Sequence, residues 1–563
     1  MYKYRRTSWR PIGILAGIVA CVLIEMNFAP QAIAKPADAN RLKSTRSYTP
    51  YLQQMFTQRQ FLLPEQRKVW TKVQAIYAAL EPEYGLIWLH QGQLTPIAEQ
   101  VLSLLDNVEQ HGLQRLDYRI DQINILDRNV NQLNLQEAVR LDTAITASFV
   151  AYLRALTDGR IEPYEVDQSS DNIIAIEPPK VDSLKVVRQV LEQNSLAAAD
   201  ALEPQHPQYQ QLKKAYAYYQ WLNTQPPLPP LMLETVLKPG QPSGQINRLV
   251  QYLQREDYLQ DPIRSLTYTP ALVTAVKRYQ QNHGLKPDGV IGPKTLAAFN
   301  QSLTDKQQQI AINMDRWRWL PRDLGDDYLL VNVPEFKLRL YGQEPVQEID
   351  VIVGRRMRPT PVFKDRVTHV VFSPYWNVPR SITTRDLLPK LQDSPTYLTD
   401  KRYEVLQGNT IVDTQLAIDQ FLQQDTFPYR LRQKPGANNA LGQVKFMFPN
   451  QYAIYLHDTP ADALFERTTR TFSSGCIRVE EPVKLAQWLL DSTHWNTERI
   501  QNSMLQDKPT TVHLEQSIPV YIIYLTTFVD DDQIHFLPDI YRHDAVARSL
   551  LQQEYRNPKM VER

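Results

Sequence analysis

Cysteine is almost absent from the sequence: its 563 residues include two, Cys21 and Cys476. Cys21 lies in an N-terminal apolar stretch of the kind that is removed on export. The exported chain would then keep Cys476 alone. Because exported proteins usually pair their cysteines or have none, one thiol that is retained in an oxidising compartment is a candidate nucleophile.

A charge excess is also absent. The sequence has 62 Lys and Arg residues against 61 Asp and Glu residues, which gives a net charge of +1 and no electrostatic case for nucleic-acid binding. The hydrophobic and charged fractions, 43% and 22%, are those of a globular protein, and the length is enough for three or four domains of about 100–200 residues. His90 and His111 have no clustered partners. Neither a metal nor another cofactor is therefore predicted.

The N-terminus has the pattern of an export signal. Basic residues at positions 3, 5, 6 and 10 precede an apolar run over residues 12–24, and Ala-Ile-Ala at residues 32–34 has the small-x-small form of a cleavage site. The run is short for a bilayer span, which needs about 20 residues. A cleaved signal peptide over residues 1–34 is the leading interpretation. An uncleaved anchor is the second, and a lipoprotein acylated at Cys21 is the third, although the apolar run continues past that cysteine.

The candidate catalytic residues lie close to Cys476 in the sequence. Residues 452–457 are rich in aromatic and β-branched side chains and predict a strand, in which Tyr455 and His457 share one face. A free thiol has a pKa near ~8.5 and needs a base or a positive charge to react at neutral pH. His457 is the candidate base.

The segment that contains the cysteine is predicted to lead into a helix. Cys476 and Arg478 alternate onto one face, and Arg478 supplies a positive charge that favours the thiolate. Gly475 permits a tight backbone and the close approach of a ligand. The Glu-Glu-Pro sequence at residues 480–482 predicts a helix start, so backbone N–H groups near Cys476 are suited to bind an oxyanion.

A buried structural cysteine beside a core histidine is the alternative, since free cysteine is among the most buried residue types. Three features of the sequence favour catalysis instead. Ser-Ser-Gly precedes Cys476, Arg478 follows it, and His457 lies nineteen residues before it.

Composition and periodicity divide the rest of the chain. The predicted segments are a Gly-poor helical domain (45–225), a polyproline spacer (226–230), a small helical module (236–303), a domain of period-two strands (326–515) with a mixed insertion (380–440), and C-terminal strands and a helix that pack on the catalytic or scaffold domain (516–563). In the first domain, helices are predicted over residues 94–105, with Thr95 as cap, and over 137–156. That domain has no catalytic pattern and is predicted to be structural. The predicted fold class is multidomain α+β, with a helical N-terminal scaffold, a three-helix module and a mainly-β catalytic domain.

The residues around Cys476 carry a resemblance to a known family. His457-Asp-Thr-Pro followed by Ser-Ser-Gly-Cys-Ile-Arg478 resembles the signature of L,D-transpeptidases of the YkuD fold, in the long YcbB-like form. Short members have Gly after the histidine and a second His before the glycine. This chain has Asp458 and Ser474 at those positions, as the long subfamily does.

The resemblance also gives the segments identities. It implies a scaffold domain at 45–225, a peptidoglycan-binding domain at 236–303 and a substrate-capping subdomain in the 380–440 insertion of a YkuD-type catalytic domain. The Gly, Pro and Asp residues of the module satisfy turn geometry whether or not glycan binds. Wall binding is therefore an expectation from the resemblance alone.

The implied function is that of an exported enzyme that crosslinks peptidoglycan in the periplasm or cell envelope. Cys476 would attack the carbonyl before the terminal D-amino acid of a tetrapeptide stem, and His457 would move the protons. The side-chain amine of a diamino acid on a second stem would resolve the thioester into a 3→3 crosslink. The expected partners are stem peptides and glycan, without nucleic acid, with a carbapenem as covalent inhibitor. Anchoring to the inner membrane through the N-terminal segment is the alternative to a cleaved signal.

The remaining site predictions concern the oxyanion and the substrate. The residues assigned to them are Tyr455, Ser474, Gly475, Arg478 and Trp376. Backbone N–H groups near Tyr455, Gly475 and the nucleophile would stabilise the oxyanion. Arg478 would favour the thiolate or bind a substrate carboxylate. Trp376 lies where the long subfamily lines its substrate cleft, although a core aromatic residue fits that position equally well.

Two other functions stay open. One is an L,D-carboxypeptidase on the same stems, with water as acceptor, and the other is an inactive wall-binding scaffold, which the intact His457 and Cys476 oppose. A papain-like protease is disfavoured, because its cysteine precedes its histidine by a long interval. Asp458 is not assigned to a triad: adjacent strand residues project to opposite faces, so its carboxylate is expected to point away from Cys476. A backbone carbonyl would then orient His457.

Overall fold

The computed structural model describes residues 48–57, 63–127, 133–168, 173–424, 426–490 and 494–556. The predicted export signal at residues 1–34, with Cys21, lies outside the described residues. The part of the chain before residue 226 is helical, as predicted. Its elements are α1 Thr49–Thr57, α2 Pro64–Tyr84, β1 Leu89–His90, β2 Gln93–Leu94, α3 Pro96–Asp106, α4 Ile120–Asp127, α5 Leu135–Asp158, α6 Pro163–Gln168, β3 Ile174–Ala175, α7 Ser183–Gln193, α8 Ala197–Asp200 and α9 Pro207–Thr224.

Two of these helices begin where their capping residues predict. The Thr95 hydroxyl accepts the Ala98 N–H at 3.3 Å and Pro96 is the first residue of α3. Asn134 and Glu137 form a reciprocal capping box at the start of α5, with N–H to side-chain distances of 3.0 and 2.9 Å. Both predicted helices are therefore confirmed, within two residues at each end.

The small helical module comes next. Its helices are α10 Ile246–Arg255, α11 Pro270–Asn282 and α12 Pro293–Phe299, and α13 Leu303–Arg318 follows. The module has a core of its own, centred on Leu253, Tyr268 and Phe299. Its three predicted helices are confirmed. The long α13 was not predicted, and it carries the chain into the β domain.

The β domain begins with four strands, β4 Tyr328–Asn332, β5 Lys337–Tyr341, β6 Gln347–Gly354 and β7 Val362–Phe372. The insertion that follows has its own core, around Leu391, Leu398 and Val405. Its sheet has the strand order β10-β9-β11-β8. The elements are β8 Trp376–Asn377, α14 Arg380–Ile382, a π-helical turn Thr383–Leu387, α15 Leu388–Asp393, α16 Tyr397–Asp400, β9 Tyr403–Gln407, β10 Thr410–Val412, α17 Thr414–Gln424 and β11 Arg430–Gln433.

After the insertion the chain returns to the main sheet. The elements are β12 Val444–Met447, β13 Leu456–His457, β14 Thr471–Ser473, β15 Ile477–Val479, α18 Pro482–Leu489, α19 Thr497–Met504, β16 Thr510–Ile523, β17 Thr527–Asp530, β18 Gln533–Phe536 and α20 His543–Arg556. The strand order is β12-β13-β15-β6-β5-β4-β16-β7, and β7 also pairs with β12. Eight described strands therefore close into a barrel. Closure leaves no free sheet edge along the paired part of each strand.

Three predicted strands differ from the observed ones. The strand predicted over residues 452–457 is confined to Leu456–His457, because the chain turns before it and Ala453 has a positive φ of 54°. The period-two pattern also predicts separate strands at residues 511–514 and 519–528. The structure instead has one long β16, with an irregularity in its pairing to β7, followed by β17. The predicted fold class is confirmed. No helix among the described residues is long and apolar enough to cross a membrane.

A buried ion pair joins the module to the rest of the chain. Lys306 is fully buried on α13, and its Nζ lies 2.5 Å from a carboxylate oxygen of Glu256, which follows α10. The ammonium group also lies 5.4 Å from the ring centroids of Tyr279 and Phe536. Truncating Lys306 would leave the Glu256 carboxylate unpaired inside the protein.

We expect Lys306→Ala to lower the free energy of unfolding by about 3–5 kcal/mol. Arg188→Ala breaks the exposed pair with Glu83, 3.1 Å long, and should cost under about 1 kcal/mol. Urea unfolding followed by tryptophan fluorescence measures both variants. Equal shifts would contradict the prediction, as would a Lys306→Ala/Glu256→Gln double variant that recovers none of the lost stability.

Candidate active site

The pairing of two short strands assembles the site. β13 and β15 are parallel neighbours, with Leu456 opposite Ile477 and His457 opposite Arg478. Leu456 and Ile477 are fully buried in the core, so His457 and Arg478 project from the other face. Cys476 precedes Ile477 and lies on that same face. The structure thus brings the predicted base, nucleophile and arginine together.

Tyr455 contacts the sulfur directly. Its backbone N–H and its hydroxyl both donate hydrogen bonds to Cys476 Sγ, and the indole N–H of Trp376 donates to the same hydroxyl. Trp376 reaches this position because β8 begins the insertion beside the site. The thiol itself lies 3.6 Å from the carbonyl oxygen of Ala453. Two residues predicted separately, Tyr455 and Trp376, are therefore linked at the nucleophile.

Burial governs the protonation of the pair. It raises the pKa of the half-buried Cys476 thiol to about 11, although the two Tyr455 hydrogen bonds and the charges of Arg478 and Lys445 act in the opposite direction. Burial and the positive charge of Arg478 lower the pKa of His457 to about 3. At neutral pH the site therefore contains a neutral thiol and a neutral imidazole. Attack by the sulfur requires a proton transfer between them.

A backbone carbonyl orients the imidazole. His457 Nδ1 donates to the carbonyl oxygen of Asp458 at 2.5 Å, which leaves Nε2 without a proton in the neutral ring. The Asp458 carboxylate binds backbone elsewhere: its oxygens accept the N–H groups of Gln443 at 2.8 Å and Thr459 at 2.7 Å. The predicted orientation of Asp458, away from the nucleophile, is confirmed.

Internal hydrogen bonds shape the loop before the nucleophile. Ser473 Oγ donates to the Cys476 carbonyl at 2.5 Å and accepts the Gly475 N–H at 3.1 Å. Gly475 has a φ of +117°, which a residue with a Cβ rarely adopts. Because its N–H is already bound to Ser473, Gly475 does not supply the predicted oxyanion donor. The Cys476 N–H is the donor that remains in the resting site, and the Tyr455 hydroxyl becomes a second donor when the sulfur forms its bond to the substrate and no longer accepts it.

Several basic residues of the site were missed by sequence reasoning. Ser474 Oγ accepts hydrogen bonds from Arg355 Nη2 at 3.1 Å and Arg358 Nη1 at 3.0 Å, and Arg358 also forms an ion pair with Asp386 of the insertion. The run Arg-Arg-Met-Arg at residues 355–358, directly after a predicted strand, was the available signal.

Lys445 is a further missed residue. It lies opposite His457 in the β12–β13 pair, with its ammonium group 5.6 Å from the ring centroid of Tyr455. The Nε atom of Arg478 is buried without a hydrogen-bond partner. The site is consequently rich in positive charge, which suits an anionic substrate. Within the described residues, no group of three or more His, Cys, Asp or Glu side chains is arranged to bind a metal ion.

Comparison with known proteins agrees with this arrangement. Three family models match the chain: a scaffold domain over residues 71–215, a "putative peptidoglycan binding domain" over 243–299 and an L,D-transpeptidase catalytic domain of the YkuD type over 326–514. A "putative L,D-transpeptidase" from Haemophilus influenzae is 40% identical over 239 residues. The match covers 42% of this chain and 48% of that protein, or about half the length of the relative.

The neutral thiol predicts a steep pH dependence of alkylation. Because the thiolate is the nucleophile and the pKa of Cys476 is about 11, iodoacetamide should label it about tenfold faster per pH unit from pH 6 to 9. Arg478→Gln removes a charge that lowers this pKa, so it should slow labelling at every pH in that range. Peptide mass spectrometry locates the label and separates it from Cys21. A rate that is already constant below pH 7 would show a preformed thiolate instead.

Proposed function

Because the chain carries a YkuD-type L,D-transpeptidase catalytic domain and a peptidoglycan-binding domain, we propose that the protein is an L,D-transpeptidase that forms 3→3 crosslinks between peptidoglycan stems. The observation that carries the proposal is the common face of His457 and Cys476 on paired strands, with Tyr455 bound to the sulfur. The matched domains support a location outside the cytoplasm, and the proposed compartment is the periplasm or cell envelope.

The first half-reaction forms a thioester. Cys476 Sγ attacks the carbonyl carbon of the residue before the terminal D-amino acid of a tetrapeptide stem, and His457 Nε2 takes the thiol proton. The Cys476 N–H and the Tyr455 hydroxyl stabilise the oxyanion of the tetrahedral intermediate. The carbon–nitrogen bond then breaks, and His457 returns the proton to the leaving amine. The products of this half-reaction are the free D-amino acid and the acylated cysteine.

The second half-reaction restores the enzyme. The side-chain amine of a diamino acid on a second stem attacks the thioester, His457 takes a proton from this amine, and the sulfur leaves as the thiol after receiving that proton. Water in place of the amine would give an L,D-carboxypeptidase. The insertion, which holds Trp376 beside Tyr455 and Asp386 beside Arg358, is proposed to limit access of water to the thioester.

The positive charge around the nucleophile supports a substrate with free carboxylates. Four basic residues surround the loop and the nucleophile: Arg355, Arg358, Arg478 and Lys445. Asp386 forms ion pairs with Arg355 and Arg358. Stem peptides are anionic at their termini, so these cations favour their binding. A wall-binding scaffold without catalysis would need the module but not this arrangement of thiol, imidazole and donors.

Cys476→Ala tests the nucleophile. With purified disaccharide tetrapeptides, the wild type should release the terminal D-amino acid and form dimers, and the variant should form none while keeping its thermal midpoint, because one small side chain is lost beside a cleft. Mass spectrometry of the products also separates dimers from the tripeptides of a carboxypeptidase. A carbapenem should add its mass to the wild type alone. An adduct on the variant, or on neither protein, would count against Cys476.

Asp458→Asn tests the orientation of the base. The variant should lose less than about tenfold in thioester formation, because one hydrogen bond to backbone N–H is weakened while the carbonyl that binds His457 stays. Replacing a true triad aspartate costs ~10⁴-fold. His457→Ala is the matched comparison and should lose about 10²–10⁴-fold. A loss in Asp458→Asn as large as that in His457→Ala would refute this role for the carbonyl.

A further inference from the structure

A threonine outside the catalytic signature holds the peptide bond in front of the nucleophile. The backbone N–H of Gly354 donates to Thr360 Oγ1 at 2.8 Å. Since that oxygen accepts there, its own proton goes to the second partner, the carbonyl oxygen of Gly475, also at 2.8 Å. Thr360 is 1% exposed, so water does not compete effectively for these bonds.

A tyrosine from the C-terminal segment holds the same threonine. The backbone N–H of Thr360 donates to the Tyr541 hydroxyl at 3.3 Å, and that hydroxyl donates its proton to the Gly354 carbonyl. Gly354 ends β6 and Thr360 lies two residues before β7, so one hydroxyl links the two sides of the loop between these strands. We call Thr360 and Tyr541 the Tyr541–Thr360 clamp.

The clamped carbonyl determines where an oxyanion donor points. The Gly475 carbonyl and the Cys476 N–H belong to one planar trans peptide, in which the C=O and N–H bonds point in opposite directions. When Thr360 holds the carbonyl, the Cys476 N–H is directed away from Thr360. Gly475 has a φ that other residues avoid, so this peptide has little intrinsic preference to stay in place.

We propose that the Tyr541–Thr360 clamp positions the Cys476 N–H for oxyanion stabilisation, which makes Tyr541 a positioning residue of the active site. The expected loss in kcat rests on the proposed function. The expected position of the Gly475–Cys476 peptide rests on the hydrogen bonds alone. Tyr541 lies beyond residue 514, where the match to the catalytic domain ends. The C-terminal segment is thereby part of the active-site support.

The surroundings of Tyr541 keep its hydroxyl in place. Tyr541 is 3% exposed, and its backbone N–H donates to the Tyr524 hydroxyl at 2.8 Å. Tyr524 in turn donates to Asp539 at 2.7 Å, and its ring stacks on that of Tyr541 with centroids 5.7 Å apart. The ring of His543 lies 6.0 Å from the Tyr541 ring. These contacts do not use the Tyr541 hydroxyl, so Tyr541→Phe should leave them intact.

The test compares two hydroxyl deletions in the full-length protein. Tyr541→Phe removes the two hydrogen bonds by which Tyr541 holds Thr360 and Gly354. Tyr521→Phe removes a buried hydroxyl that donates to the Leu324 carbonyl at 3.2 Å and has no hydrogen bond to the cysteine loop. With tetrapeptide as donor, we expect kcat of thioester formation to fall about ten- to a hundredfold in Tyr541→Phe, with KM little changed. Tyr521→Phe should keep the wild-type kcat.

Thr360 supplies a second pair of variants. Thr360→Val keeps the shape of the side chain and loses both hydroxyl bonds, and it should reproduce the loss in kcat. Thr360→Ser keeps the hydroxyl and should recover most of it. The Thr360→Val/Tyr541→Phe double variant should lose less than the product of the single losses, because both residues act on the same peptide.

Hydrogen–deuterium exchange measures the effect of the clamp on the cysteine loop in the absence of substrate. The peptide that spans residues 473–478 should exchange faster in Tyr541→Phe than in the wild type and in Tyr521→Phe, at matched thermal midpoints. Unchanged exchange in this peptide would overturn the clamp, as would an unchanged kcat in a variant whose exchange has risen. If the wild-type protein forms no thioester from tetrapeptide, the proposed function fails, and the exchange result alone decides whether the clamp exists.

Discussion

The parallel pairing of β13 with β15 is the constraint on which the site depends. β13 has two residues, and its neighbours β12 and β15 position it on either side. Leu456 and Ile477 are fully buried beneath the pair, which determines the register. A slip by one residue would turn His457 into the core and expose Leu456. Burying His457 and exposing Leu456 would cost more free energy than the few hydrogen bonds of such short strands contribute. Hydrophobic burial therefore determines the alignment of base and nucleophile.

Burial has two opposite effects at this site. It makes the thiolate and the imidazolium unfavourable, so both groups are neutral at rest despite the nearby charges of Arg478 and Lys445. The same exclusion of water strengthens every hydrogen bond that an oxyanion would receive. It also limits oxidation, since susceptibility follows thiolate character, and a thiol with a pKa of about 11 has about one thiolate in 10⁴ at pH 7.

The sequence predicted the local features of the site well and its distant contacts poorly. Alternation placed Tyr455 and His457 on one face and Cys476 and Arg478 on one face, and the orientation of Asp458 followed from the same rule. The strand at residues 452–457 was predicted too long because the positive φ of Ala453 has no marker in the sequence. Lys445, Arg355 and Thr360 reach the site through the strand register of a closed barrel. Their contacts span 12 positions for Lys445 and more than a hundred for Arg355 and Thr360, which the local sequence pattern does not predict.

The strand register also explains why a large insertion is compatible with the barrel. Phe372 at the end of β7 and Val444 at the start of β12 are direct partners, and the Ser373 N–H donates to the Gln443 carbonyl at 2.7 Å. The insertion therefore leaves and returns at one point, and the entropy of closing so long a loop grows slowly with its length. Its ion pair with Arg358 is partly exposed, and pairs of this kind contribute little to stability. The insertion is thus folded by its own core and positioned, rather than stabilised, by its contact with the cysteine loop.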